Sequence, residues 1–363
     1  MSTQRSHAMD HLRIVLTLLV ILHHTAIAYG GSGGWYWREQ PNGSQPLLLF
    51  FNAINQSHFM GFFFLLAGYF TPSSLDRKGA SRFIQDRLLR LGVPLLIYFF
   101  ILSPLTIALA RTSRGEPFWS GWWARFTGGS FGPGPLWFAQ SLLIFSAGYL
   151  AWRRLRAHRS DAGPELPRFR TLAVTAVTLG LLSFAVRLVL PVGKEVGWMQ
   201  LGYFPCYVYL FAAGCAAERS KLLERITFEQ ARPWLWVTLA ALVSLPAVIL
   251  TRQGKGAFEG GWSWNAFFYA LWDPFMAWGI ILGSLWAAQR YWSAPSRLTS
   301  WLAQQAYPAF IIHPPVIVGL SLLAARWNEH PMLKFVVVGA GASLLSFVIG
   351  ASLRRLPGAG RVL

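Results

Sequence analysis

Apolar runs of about 20 residues, separated by short polar breaks, recur along the whole chain, and each is long enough to cross a hydrocarbon layer about 30 Å thick. They fall at roughly 11–29, 50–70, 92–110, 135–152, 170–190, 201–217, 232–250, 267–288, 302–325 and 331–353. A span in lipid must satisfy its own backbone polar groups, so these runs predict helices. The expected fold class is an all-α polytopic membrane protein with about ten transmembrane helices. Ten spans use roughly 200 residues and leave about 160 for loops, which excludes a large soluble domain beside them. The expected organisation is one transmembrane domain over 1–356 and a short cytoplasmic tail over 357–363. Gly202 and Pro205 interrupt the sixth run, and Pro308, Pro314 and Pro315 the ninth. The two prolines after His313 predict irregular backbone there, of the kind that lines a cavity.

Composition agrees with the pattern. The 363 residues are 54% hydrophobic and 13% charged, against roughly 25% charged in soluble domains. Little polar low-complexity sequence is present, so disorder is excluded as well. The net charge of +18, from 32 Lys and Arg against 14 Asp and Glu, raises nucleic acid as a partner, but position decides otherwise. With the N-terminus inside, the cytoplasmic segments carry Arg5 and Arg13, then Arg77, Lys78, Arg82, Arg87 and Arg90. Arg153, Arg154, Arg156, Arg159, Arg168 and Arg170 follow, then Arg219, Lys221, Arg225 and Arg232. With Arg290, Arg297, Arg354, Arg355 and Arg361 the total is 22. The opposite side holds nine: Arg38, Arg111, Arg114, Arg125, Lys194, Arg252, Lys255, Arg326 and Lys334. This bias alternates loop by loop, as the positive-inside rule requires. Both termini are therefore expected in the cytoplasm, the bilayer is the expected partner, and no nucleic acid partner is expected.

Cys206 and Cys215 lie nine residues apart, about 900° round a helix, and cannot bridge each other. No disulfide framework or cysteine-based metal site follows. A cleavable signal peptide is not expected either, because Asp10 and Arg13 precede the first apolar run and no small-x-small site follows it. The outward loops are aromatic: Trp35, Tyr36 and Trp37 lie in one, and Trp119, Trp122 and Trp123 in another. Such residues serve as interface belts or as flat platforms for sugar faces.

Ionisable side chains inside spans cost about 2.5–3.5 kcal/mol each on insertion scales, so each needs a reason. The first span reads Met9-Asp10-His11-Leu12-Arg13, an apolar run, then His23-His24. Arg13 and His24 are 11 residues apart, about 1100°, which puts them within ~20° of one face and ~16 Å apart along the axis. His23 sits ~100° round from that face. Arg87 and Arg90, at i and i+3 where the third span begins, suit phosphate, since each guanidinium donates two parallel hydrogen bonds. Anionic lipid headgroups are the other reading. His313 lies about 16 Å into an outward-going helix. Asn52, Asn55, Gln56 and His58 cluster in span two, with Trp137 and Gln140 in span four, Arg187 in span five and Asp273 in span eight. They fit a polar pocket opening outward above His24. Arg187 with Asp273 fits a buried structural pair equally well.

These residues resemble the acyltransferase 3 family of integral membrane O-acyltransferases. Met9-Asp10-x-Leu12-Arg13 followed by ten residues and His24 is similar to that family's first-helix Arg-x10-His signature. His58 to Phe70, with Phe62-Phe63 and Gly68, resembles its second helix, with Ala67 in place of the usual Ser. Arg87-x-x-Arg90-Leu91 with Pro94 resembles the start of its third helix. Pro135-Leu136-Trp137-Phe138 and Tyr307 with His313-Pro314 are similar to later landmarks. Leu-Trp-Phe and the span count look closest to the periplasmic glucan succinyltransferase branch. A Trp-Ser-x-x-x-Glu-like run and an appended extracytoplasmic domain, which mark other branches, are lacking.

The resemblance implies transfer of an acyl group, acetyl, succinyl or similar, from cytosolic acyl-CoA to a hydroxyl of an extracytoplasmic glycan, in a bacterial inner membrane. It implies acyl-CoA as co-substrate and no permanently bound cofactor or metal. Arg13, Arg87 and Arg90 would hold the CoA phosphates. His24 would act as general base, since an imidazole of pKa near ~6.5 accepts a proton around neutrality, or would carry the acyl group itself. Asp10, His58, Trp137, Gln140, Arg187, Asp273 and His313 are the supporting or acceptor-side candidates. The competing class is a proton-coupled transporter or flippase, in which the same ionisable residues relay protons or bind an anion.

Overall fold

The computed structural model describes residues 7–40, 43–155, 165–251, 257–294 and 296–363. Arg5, Arg156, Arg159, Arg252 and Lys255, counted in the charge balance above, lie outside the described residues. Fifteen α-helices follow one another among the described residues. They are α1 (His7–Ala28), α2 (Pro46–Tyr69), α3 (Thr71–Lys78), α4 (Ala80–Arg87) and α5 (Val93–Ile97). Next come α6 (Ser103–Arg111), α7 (Phe118–Thr127), α8 (Trp137–Leu155), α9 (Phe169–Val189) and α10 (Phe204–Ala217). The last are α11 (Phe228–Thr251), α12 (Trp264–Tyr291), α13 (Arg297–Ala324), α14 (Pro331–Arg354) and α15 (Ala359–Val362). No strand occurs among the described residues. Each of the ten apolar runs falls on helix, and among the described residues seven helical stretches are long and apolar enough to cross a membrane. One of these is the continuous stretch Ala80–Arg114. The structure therefore gives a multi-pass all-α membrane protein.

Two compact units are present. The first comprises Met1–Leu12, Gln56–Ala80 and Gly148–Pro295. Within it α12 packs on both α9 and α11. Small residues permit the close approaches, as is usual for helices in lipid. A Cβ on Gly68 of α2 would stand 2.1 Å from the Phe211 carbonyl oxygen, and one on Gly214 of α10 would stand 2.2 Å from that of Leu65. The α2–α10 crossing therefore requires glycine on both sides, which gives Gly68 of the family-like motif a packing role. In the same unit Val174, Val243 and Leu250 are among the most exposed apolar side chains. They lie on helices long and apolar enough to cross a membrane, where exposure to lipid would incur no penalty.

The second unit comprises Arg13–Asn55, Ser81–Ala147 and Ser296–Leu363. Its core joins α1, α13 and α14 through Ile14, Ile21, Ala309, Ile317, Ala342 and Phe347. Helix α14 starts with Pro331 in its first turn, and His330 accepts a hydrogen bond from the Met332 amide. Proline is pre-organised there and its missing N–H costs nothing. Between α4 and α6 the chain makes two π-turns, Leu88–Gly92 and Tyr98–Leu102, followed two residues on by Pro94 and Pro104. The wider turns ease the clash between a proline ring and the carbonyl four residues back.

The backbone at Pro308, Pro314 and Pro315 differs from the irregular stretch expected. Helix α13 runs unbroken from Arg297 to Ala324. The reason lies in the carbonyls the prolines leave without their usual i+4 donor. Arg354 Nη1 donates to the Gln304 carbonyl at 3.1 Å, opposite Pro308. The Phe310 carbonyl, opposite Pro314, accepts from His313 Nδ1 at 2.7 Å. The same device appears at Pro94, where the Tyr307 hydroxyl donates to the Arg90 carbonyl at 2.7 Å. At Gln304, Phe310 and Arg90, side chains rather than a break in the helix satisfy the freed carbonyls.

Candidate active site

Because α1 is uninterrupted, Arg13 and His24 keep the shared face that their spacing predicts, and both are half-buried. His23, one residue round, is buried. Asn52 Nδ2 donates to His23 Nδ1 at 2.9 Å and to the His23 carbonyl at 3.1 Å. A neutral ring that accepts at Nδ1 carries its proton on Nε2. Asn55 Nδ2 donates to the Leu19 carbonyl at 3.0 Å. The two asparagines of α2 thus fasten α1 and fix His23. Gly31 leaves room for Asn52: a Cβ there would lie 1.9 Å from Asn52 Oδ1.

His24 Nδ1 lies 2.9 Å from His313 Nε2. The ring centroids are 5.0 Å apart and the planes differ by 15°, so the two imidazoles meet edge to edge and almost coplanar. The proton positions follow from the proline. His313 Nδ1 faces the Phe310 carbonyl that Pro314 leaves free, so that nitrogen donates and Nε2 of the fully buried His313 ring accepts. His24 must then donate from Nδ1, and its lone pair sits on Nε2. A base oriented through its other nitrogen by a second group has the logic of a catalytic dyad.

The loop after α1 covers this pair. Trp35 stacks on His24 with centroids 4.2 Å apart and planes 13° apart, and lies parallel to His313 at 6.0 Å. One face of Trp35 is therefore taken by His24 rather than offered to a headgroup or a sugar. The loop is tied down at several points. The Glu39 amide donates to the Ala28 carbonyl at 3.0 Å, and the Gln45 amide to that of Gly30 at 2.9 Å. Arg38 Nη2 donates to the Gly31 carbonyl at 2.8 Å, and Glu39 pairs with Lys334 of α14. The Tyr36 and Tyr98 hydroxyls are 2.9 Å apart. Burial raises the Tyr36 phenol above its ordinary pKa, so it stays protonated. Gly134 sits against this pair, where a Cβ would stand 2.4 Å from the Tyr36 oxygen.

Among the other predicted residues of this unit, Arg87 closes α4 with its guanidinium over the Phe83 ring at 5.1 Å. Arg90 lies in the first π-turn, is 57% exposed and pairs with Asp86 at 3.2 Å. Trp137 opens α8, with Gln140 one turn on. Phe138 contacts Phe310 at 6.1 Å, and Phe310 contacts His313 at 5.8 Å, so the start of α8 is joined to His313 through aromatic rings.

In the other unit, Asp10 lies in the first turn of α1 and His58 is buried in α2. Arg187 and Asp273 are both buried and form an ion pair at 2.5 Å. Arg187 Nε also donates to the Gly202 carbonyl at 3.1 Å, and the guanidinium lies over the rings of Tyr203 and Tyr269. Cys206 and Cys215 form no disulfide among the described residues.

The fold and site together define a class: a polytopic helical membrane protein that holds a hydrogen-bonded imidazole pair on its helices, suited to proton transfer. A family model described as an acyltransferase domain matches residues 6–351, and the chain belongs to that family, acyltransferase 3. It is thus a membrane acyltransferase. Comparisons with curated proteins and with solved structures returned no match.

Proposed function

We propose that this protein moves an acyl group from acyl-CoA, bound on the cytoplasmic side, to a hydroxyl of an extracytoplasmic glycan in a bacterial inner membrane, with His24 as general base. One observation supports this reading above all: His24 Nδ1 lies 2.9 Å from His313 Nε2, and His313 Nδ1 faces the Phe310 carbonyl at 2.7 Å, an arrangement that assigns the His24 proton to Nδ1 and its lone pair to Nε2. A base needs that nitrogen open to the hydroxyl it deprotonates. In the proposed step His24 Nε2 takes the hydroxyl proton as the oxygen attacks the thioester carbon. The tetrahedral intermediate then expels the CoA thiolate, which takes the proton from His24. Arg13, on the same face of α1, is assigned to the CoA phosphates together with Arg87 and Arg90. Guanidinium groups suit that task because they bind phosphate with two parallel hydrogen bonds. No metal or bound cofactor enters the step.

The test uses inverted membrane vesicles, whose cytoplasmic face is outward, given radiolabelled acetyl-CoA or succinyl-CoA. Label should appear covalently on lumenal glycan with the wild-type protein and be absent with His24→Ala. Label that accumulates in the lumen without covalent attachment would overturn the reading in favour of transport.

A further inference from the structure

The indole of Trp35 covers His24 at ring-contact distance, yet its Nε1–H is buried and meets no acceptor among the described residues. Burying an indole N–H without an acceptor is costly, and indoles usually find a partner when buried. Stacking on His24 accounts for the ring but not for the donor. The loop that carries it is fastened at Glu39, Arg38 and Gln45, so the donor is held in place rather than free to seek solvent. This donor therefore stands ready beside the base.

Resting on the acyl-transfer reading above, we propose that Trp35 Nε1–H is the oxyanion donor of this site, binding the thioester carbonyl oxygen as it becomes negative. The electron count is simple. The attacking hydroxyl oxygen forms a C–O bond to the thioester carbon while His24 Nε2 takes its proton, and the carbonyl π pair moves onto oxygen. That oxygen accepts the Trp35 N–H. When the pair returns, the C–S bond breaks and the CoA thiolate takes the proton from His24. A fixed donor aimed at charge that appears only in the transition state accelerates the step without tightening ground-state binding. The indole is neutral, so its burial beside the base adds no positive charge to oppose protonation of His24.

Two replacements separate donor from ring. Trp35→Phe keeps an aromatic face over His24, and benzothienylalanine placed at position 35 by amber suppression keeps the bicyclic shape while exchanging N–H for sulfur. Release of CoA thiol is followed with purified protein, acetyl-CoA or succinyl-CoA, and a glucan oligosaccharide as acceptor. Both variants are expected to lose about 10²–10³-fold in kcat, as for removal of one oxyanion donor, with KM for acyl-CoA and the acid limb of the pH profile unchanged. A benzothienylalanine protein with wild-type kcat would overturn the proposal. So would a change confined to KM, or an acid limb displaced by the replacement, which would make Trp35 a positioning residue acting through His24. His24→Ala, run in parallel, keeps the two readings apart. If it is inactive while both Trp35 variants are normal, the oxyanion assignment alone fails. If it too is normal, the assignment of His24 as general base fails with it, and a wild-type protein that releases no CoA thiol would overturn the acyl-transfer reading itself.

Discussion

At the scale of single residues, the role proposed for His24 depends on which of its nitrogens carries the proton, and that choice is made three contacts away. Pro314 frees the Phe310 carbonyl, His313 Nδ1 binds it, and His313 Nε2 then orients His24. Replacing His313 by Leu removes the imidazole that orients His24 through Nδ1, and kcat should fall at least 10²-fold with KM little changed, since loss of the orienting group costs more than this in a related triad. His313→Gln, whose amide oxygen can still accept, should retain more activity than His313→Leu. Equal losses in the two variants, read by CoA-thiol release, would mean that the hydrogen bond is not what matters. Periodicity alone gave the shared face of Arg13 and His24, because an unbroken α-helix fixes angles between distant positions. The partnership of His24 with His313 was not legible: 289 residues separate them in sequence, and local spacing says nothing about which helices meet. Trp35 was equally hidden, since an aromatic residue in an outward loop looks the same whether it touches headgroups or an imidazole.

At the scale of elements, prolines in α13 act through the carbonyls they leave open rather than by bending the chain. Pro314→Ala would restore an amide that competes with His313 Nδ1–H for the Phe310 carbonyl. The expected outcome is a Tm in detergent that is unchanged or raised, with kcat lowered about tenfold (one competing hydrogen bond of about 1.4 kcal/mol corresponds to that factor). Activity that survives while stability falls would show that the proline serves packing instead. In the sequence these prolines signal irregular backbone. The rule that each proline frees the carbonyl four residues back, applied at 304 and 310, already marks where side-chain donors must come. The α2–α10 crossing makes a separate prediction: Gly214→Val forces a side chain into the Leu65 carbonyl, and the protein should melt several degrees lower or fail to accumulate in the membrane. A variant of normal stability would mean that the helices do not approach as closely as described.

For the whole molecule, helix content and multi-pass character follow from the apolar runs, because lipid admits few other backbone structures. The number of spans is less direct, since α2, α8 and α10 are shorter or more polar than a simple hydrophobic crossing, with Asn52, Asn55 and Gln56 in α2 used for bonds to other helices. The charge asymmetry of the loops predicts an inside-positive orientation. Single cysteines introduced at Arg77 and at Arg114 in a cysteine-free background test it. A membrane-impermeant maleimide should label the Arg114 position in intact cells and the Arg77 position only after permeabilisation, and the reverse result would invert the topology. The sidedness proposed for donor and acceptor depends on this orientation, whereas the proton transfer proposed at His24 does not.

The most direct test of that chemistry compares two neighbours on one helix. His23→Ala and His24→Ala, purified in the same detergent, are assayed for CoA-thiol release from acetyl-CoA or succinyl-CoA with a glucan oligosaccharide. The account predicts a loss of at least 10³-fold in kcat for His24→Ala. For His23→Ala, whose ring serves Asn52, it predicts less than tenfold together with a lower Tm. Equal losses in the two variants, or an active His24→Ala protein, would contradict it.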